Sequence, residues 1–107
     1  MTTFDKREQS YEAGFVHDEE MRFKAEARRN KLLGLWAAEK LGLEGDEADN
    51  YAKEVVRSDF IEPGEEDVFR KIHGDFQENN VEQSEHQIRR TMGQLMAVAL
   101  EQIKRGE

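Results

Sequence analysis

Residues Ser84 to Gly106 read SEHQIRRTMGQLMAVALEQIKRG, and their spacing decides the fold class. Ile88, Met92, Leu95, Ala99 and Ile103 fall three or four residues apart, and Met96 and Leu100 widen the same stripe. That period matches one face of an α-helix. Ser84 and Gln87 form an S-x-x-Q capping box, in which two otherwise unpaired N–H donors are satisfied reciprocally. Gly106 fits the end of the helix. Upstream lies the loop Glu78-Asn79-Asn80, and before it a short segment, about Glu65 to Phe76, with apolar Val68, Phe69, Ile72 and Phe76. Gly74 is expected to shorten it. Pro63 and Gly64 force a break.

Further upstream, about Asp46 to Phe60 reads as a helix burying Ala48, Tyr51, Ala52, Val55 and Val56, with Asp46 as its N-cap. The first firm helix is expected from about Asp18 to Leu41. It opens on acidic residues that suit the positive end of the helix dipole, and Gly42 is placed to stop it. Its apolar stripe reads Met21, Ala25, Leu32, Leu35 and Trp36. No stretch alternates β-branched and polar residues as a strand would. Short connections favour antiparallel packing. The expectation is an all-α, four-helix bundle (18–107) preceded by a flexible or partly helical N-terminal arm (1–17).

In the arm, Phe4, Glu8, Tyr11 and Phe15 share one helical stripe. Few aliphatic residues lie beneath these aromatics, and Ser10 and Gly14 lower helix propensity. Such a segment is marginal alone and gains order on a partner. An ordinary frayed terminus is the plainer alternative.

Composition narrows the function classes. The chain has 107 residues, no cysteine, and 24 acidic against 16 basic side chains, a net charge of -8. Disulfides and thiolate metal sites are excluded. Nucleic acid is not an expected partner, because phosphate binding needs a concentrated basic surface. No apolar run approaches the length of a membrane span, so no direct membrane insertion is expected. Met1 to Ser10 lacks the apolar region of a secretory signal. Charge is uneven. Arg22, Lys24, Arg28, Arg29 and Lys31 face only Glu26 in their stretch, a net of +4. Residues 39–85 hold 15 acidic and 5 basic side chains, a net of -10. Two solvated faces of opposite sign, or a polarised surface that orients a protein partner, both fit.

Candidate chemistry mostly fails. Asp46-Glu47-Ala48-Asp49 spells a helicase DEAD box, but no phosphate-binding loop accompanies it. The same stretch has Tyr51 where a calcium loop needs glycine. His17/Glu20 and Glu82/His86 have ligand spacing within a helix, yet no second E-x-x-H element exists to complete a site. No metal or cofactor is therefore expected. No serine sits in a nucleophile elbow, and no carboxylate pair is marked as a raised-pKa acid. His17, where the arm joins the bundle, is the histidine of interest.

The run His17 to Leu43, HDEEMRFKAEARRNKLLGLWAAEKLGL, resembles the zeta subunit family, the ATPase inhibitor of the alphaproteobacterial rotary ATP synthase. The resemblance continues through Tyr51–Val56, Glu66–Lys71 and Ile88–Met92. It implies a four-helix fold whose N-terminal arm inserts between the α and β subunits of the F1 sector, near γ, and blocks rotation in the hydrolytic direction. It also implies a non-enzymatic, cytoplasmic protein associated with the cytoplasmic side of the membrane-bound synthase. On this chain the inhibitory pattern falls on Phe4-Asp5-Lys6-Arg7-Glu8 and Phe15-Val16-His17-Asp18-Glu19-Glu20. Phe4, Tyr11 and Phe15 would be apolar anchors. Lys6 and Arg7 would meet acidic groups of the motor, and Glu8 and Glu12 basic ones. In the family the position of Gly14 is more often a good helix former, and that of Gly93 an acidic residue. Other readings stay open: a helical adaptor or regulator of another complex, or a small metal-dependent enzyme. A nucleotide stays open as a weak effector, although no phosphate-binding motif points to it.

Overall fold

The structure, a computed structural model, describes the backbone of residues 2–61 and 65–106 and the side chains of residues 19–59 and 65–106. Four helices follow one another: α1 (Thr2–Lys40), α2 (Asp46–Ile61), α3 (Glu65–Glu78) and α4 (Glu85–Lys104). The all-α, four-helix expectation holds, and the described residues contain no strand. The Pro63-Gly64 break lies outside the described residues.

The helix ends are set by local chemistry. Gly42 takes φ 79°, its N–H donates to the Glu39 carbonyl at 3.1 Å, and Leu43 N–H donates to the Ala38 carbonyl at 2.9 Å. This paired arrangement satisfies carbonyls the helix leaves open, and Leu43 packs on the core beside it. Asn80 does the same for α3 with φ 57°, and Val81 N–H reaches the Phe76 carbonyl at 2.8 Å. Asn tolerates the left-handed region through its short polar side chain. α3 therefore passes Gly74 and ends at Glu78, two residues beyond the expected end. At α4, Ser84 Oγ accepts from Gln87 N–H at 3.1 Å and Gln87 Oε1 accepts from Ser84 N–H at 2.9 Å, so the capping box forms as expected. Asp46 lies inside the first turn of α2 with Glu47 and Asp49 rather than capping it. There all three act on the helix dipole.

The core lies where α1, α2, α3 and α4 face one another. It is built from Leu33, Ala37, Val55, Val68, Ile72, Phe76, Ile88 and Met92, with the edge of Trp36 against Phe76 at 5.7 Å between centroids. α3 buries the expected stripe, and α4 buries Ile88, Met92 and Ala99 of its own, with Leu95, Met96, Leu100 and Ile103 half-buried. On α1 the buried face is rotated from the expected one. It carries Ala25, Arg29, Asn30, Leu33, Ala37 and Ala38, while Leu32, Leu35 and Trp36 are half-buried. The cause is Gly34. A Cβ there would stand 2.6 Å from Ala52 Cα, so the bare glycine backbone is what lets α1 and α2 approach.

α1 is out of proportion to its neighbours. Its 39 residues span about 58 Å at 1.5 Å per residue, close to the 63 Å long axis of a molecule only 25 × 23 Å across. The other helices, of 16, 14 and 20 residues, reach only about 20–30 Å by the same measure. The arm and the first firm helix are thus one rod. A segment marginal alone is helical here because it extends a helix already nucleated by the bundle, so only the small cost of propagation remains.

Candidate functional site

All nine sequence-predicted positions (Phe4, Asp5, Lys6, Arg7, Glu8, Tyr11, Glu12, Phe15 and His17) fall on the first half of α1. Their side chains lie outside the described residues. The backbone still fixes register. Positions 4, 8, 11 and 15 share a face, and position 15 is eighteen residues, five full turns, before position 33. Leu33 is fully buried by the other helices. The aromatic positions of the arm therefore continue the face that the bundle covers lower down.

Below the arm, a buried polar cluster fixes α1 to α3. Arg29 is only 2% exposed. Its Nη1 donates to Glu65 Oε1 at 2.9 Å and its Nε to Asn30 Oδ1 at 3.1 Å. Burying a guanidinium is costly unless it is paired, and this pairing joins mid-α1 to the first turn of α3. Asn30 Nδ2 is buried without a hydrogen-bond partner among the described residues. The basic run of α1 is therefore not one solvated face, because Arg29 within it is internal.

Two further clusters lock the other helices. Tyr51 Oη donates to Asp75 Oδ2 at 2.7 Å, and Lys71 Nζ reaches the same oxygen at 3.2 Å and Glu54 Oε2 at 3.4 Å. Burial pushes the Tyr51 hydroxyl well above its usual range, and its hydrogen bond to Asp75 and the Asp75 and Glu54 charges push it further. On α4, Arg89 stacks 4.1 Å from the Phe69 ring and pairs with Glu66 at 3.0 Å and Glu85 at 3.4 Å. Desolvation opposes its charge, but Glu66 and then Glu85 outweigh it, so its pKa is raised. His73 stacks on Phe69 as well, with 5.2 Å between ring centroids. All of these are structural clasps between helices.

The remaining chemistry is sparse. Among the described residues no three His, Asp or Glu side chains gather at metal-binding distance. Glu82 and His86 are both exposed. No described helix is long and apolar enough to cross a membrane. Sequence reasoning missed Arg29, Asn30 and Gly34 as buried positions and Phe23 as an exposed one. Phe23 is the most exposed large apolar side chain described, at 66%. It lay in plain view as the one aromatic within the basic run of α1.

The comparisons fit a protein whose chemistry is binding. A family model described as ATPase inhibitor subunit zeta matches residues 1–102. A solution NMR structure is 53% identical, covers 81% of this chain and 99% of its own, and superposes with a TM-score of 0.71. No curated protein matches the chain. With the family match spanning nearly the whole length, the chain belongs to the ATPase inhibitor subunit zeta family.

Proposed function

We propose that this protein stops the hydrolytic rotation of a bacterial F1FO-ATP synthase by inserting the N-terminal half of α1 at an interface of the α, β and γ subunits. The observation that carries the proposal is α1 itself, a helix roughly twice as long as any helix it packs against. Its first half carries the aromatic positions Phe4, Tyr11 and Phe15 in line with the face that the bundle buries further down. An apolar helix face without a core of its own gains free energy by entering a groove on a partner. Residues 18–107 form the body that stays outside. Tethering to that body raises the effective concentration of the arm at its site.

Within the arm, Phe4, Tyr11 and Phe15 act as anchors. Lys6 and Arg7 meet acidic groups of the motor, and Asp5, Glu8 and Glu12 meet basic ones. His17 stands where the arm leaves the body. The protein acts on the cytoplasmic side of the membrane and performs no chemistry of its own. A titration of ATP hydrolysis by isolated F1 tests the proposal. Full-length protein should inhibit, and a chain lacking residues 1–15 should not, while keeping a cooperative thermal unfolding transition of its remaining helices. Equal potency of the two chains would refute the arm mechanism.

A further inference from the structure

The strongest unused feature of the body lies just beyond the arm, where α1, α2 and the end of α4 border two adjoining depressions that share Lys31 and Val56. The apolar part consists of Phe23, Ala27, Val56 and Ile103. Phe23 and Ala27 are exposed, and Val56 and Ile103 are half-buried. Around them stand four exposed cations: Lys24, Lys31, Lys53 and Arg57. In a chain with eight more acidic than basic residues, a cation is readily paired. Arg22, Arg29, Arg70, Lys71, Arg89 and Arg105 all have carboxylates within 4 Å. Among the described residues none of the four groove cations has one, and Asp49 is the one carboxylate lining the groove.

A patch of unpaired positive charge around an exposed aromatic has a specific complement. We propose that this groove docks an acidic amphipathic helix of the F1 sector, with an apolar side chain over Phe23 and carboxylates beside Lys24, Lys31, Lys53 and Arg57. The proposal rests on the inhibitor reading for its partner. Charge complementarity selects this occupant: four unneutralised cations steer and retain an acidic segment, and an aromatic between them supplies the desolvated anchor. A membrane is disfavoured, because the molecule as a whole carries a net charge of -8 and is repelled by anionic lipid. The place of the groove gives it a role. Phe23 lies eight residues, about 12 Å, along α1 from position 15. A body held there sets how far the arm reaches into the motor.

Binding of full-length protein to immobilised F1 tests the proposal, with Phe23→Ala and the double variant Lys31→Glu/Arg57→Glu compared with wild type. All three residues are exposed, so thermal unfolding should be unchanged, and each variant is first checked for that. The expected result is at least tenfold weaker binding for the charge reversal and about tenfold for Phe23→Ala. Wild-type binding should weaken as salt rises from 50 to 300 mM, more steeply than that of the charge reversal. Variants that bind within twofold of wild type overturn the proposal. So does a free wild-type dimer that the same substitutions dissociate, or binding to vesicles of 30% anionic lipid that they abolish. If wild type inhibits hydrolysis but the variants bind F1 normally, only the groove assignment fails. If the variants lose binding while deletion of residues 1–15 leaves inhibition intact, only the arm mechanism fails.

Discussion

Replacing Gly34 with alanine should destabilise the protein, although the same change in most helix interiors stabilises. The new Cβ would lie 2.6 Å from Ala52 Cα, 3.1 Å from Ala52 Cβ and 3.2 Å from Val55 Cβ. Carbon atoms pack best at about 3.5–4.0 Å, so α1 and α2 would have to separate by about 1 Å. The closest clash is with backbone, which cannot rotate away. Overpacking of this kind costs about 1–3 kcal/mol, and the helix-propensity gain of alanine over glycine returns at most ~1 kcal/mol. The net loss is about 1–2 kcal/mol, which for a domain of this size lowers Tm by about 5–15 °C. Gly93→Ala is the matched control. Gly93 is exposed in α4 with nothing within 4 Å of its Cβ position, so it should gain about 0.5–1 kcal/mol. Calorimetric melting of the two variants checks the argument. A Gly34→Ala protein that melts at or above wild type would refute the close approach of α1 and α2.

Other outcomes follow from the clasps and caps. Arg29→Ala should cost about 3 kcal/mol in urea unfolding, because it empties a buried site and removes the tie to Glu65. Arg22→Ala, whose pair with Glu26 is 79% exposed on the arginine side, should cost no more than ~0.5 kcal/mol. Ser84→Ala should cost about 1 kcal/mol through loss of the capping box. Tyr51→Phe should cost about 1 kcal/mol at pH 7 for the lost hydrogen bond to Asp75. Because the folded pKa of Tyr51 is raised, its contribution is full below the unfolded value of 10.0 and declines as pH rises past it. Wild type should therefore lose more stability between pH 9 and 11 than the phenylalanine variant does, as read by denaturant unfolding across that range. Gly14→Ala should lower the concentration of protein that half-inhibits F1, since a helical arm gains propensity there.

The fold was largely legible in the sequence because its strongest signals are local. Helix periodicity, the Ser84/Gln87 box and Gly42 each report on a few neighbouring residues, and the structure bears each of them out. The exceptions depend on contacts distant in sequence. Gly34 matters only because Ala52 and Val55 lie against it. Leu33 and Arg29 are buried, whereas Phe23, on the same side of α1 as Asn30 and Gly34, is exposed, and hydrophobicity along α1 alone reveals neither. Arg29 reads as surface charge until Glu65, thirty-six residues later, is brought to it. Asn80 could have been read as a left-handed cap, because asparagine at a loop start carries that signal. The expected site rests on aromatic spacing and family resemblance, and its side chains lie outside the described residues. The contacts proposed for the arm lie on another molecule, so local sequence signals of this chain do not spell them out.

Photo-cross-linking from the arm tests the central claim most directly. Full-length protein carrying a photoreactive phenylalanine analogue at position 11 would be mixed with isolated F1 turning over ATP, irradiated, and its adducts identified by mass spectrometry. The account expects adducts with the α, β or γ subunit whose yield rises in step with loss of ATP hydrolysis. Adducts confined to the protein itself while hydrolysis is fully inhibited would contradict it.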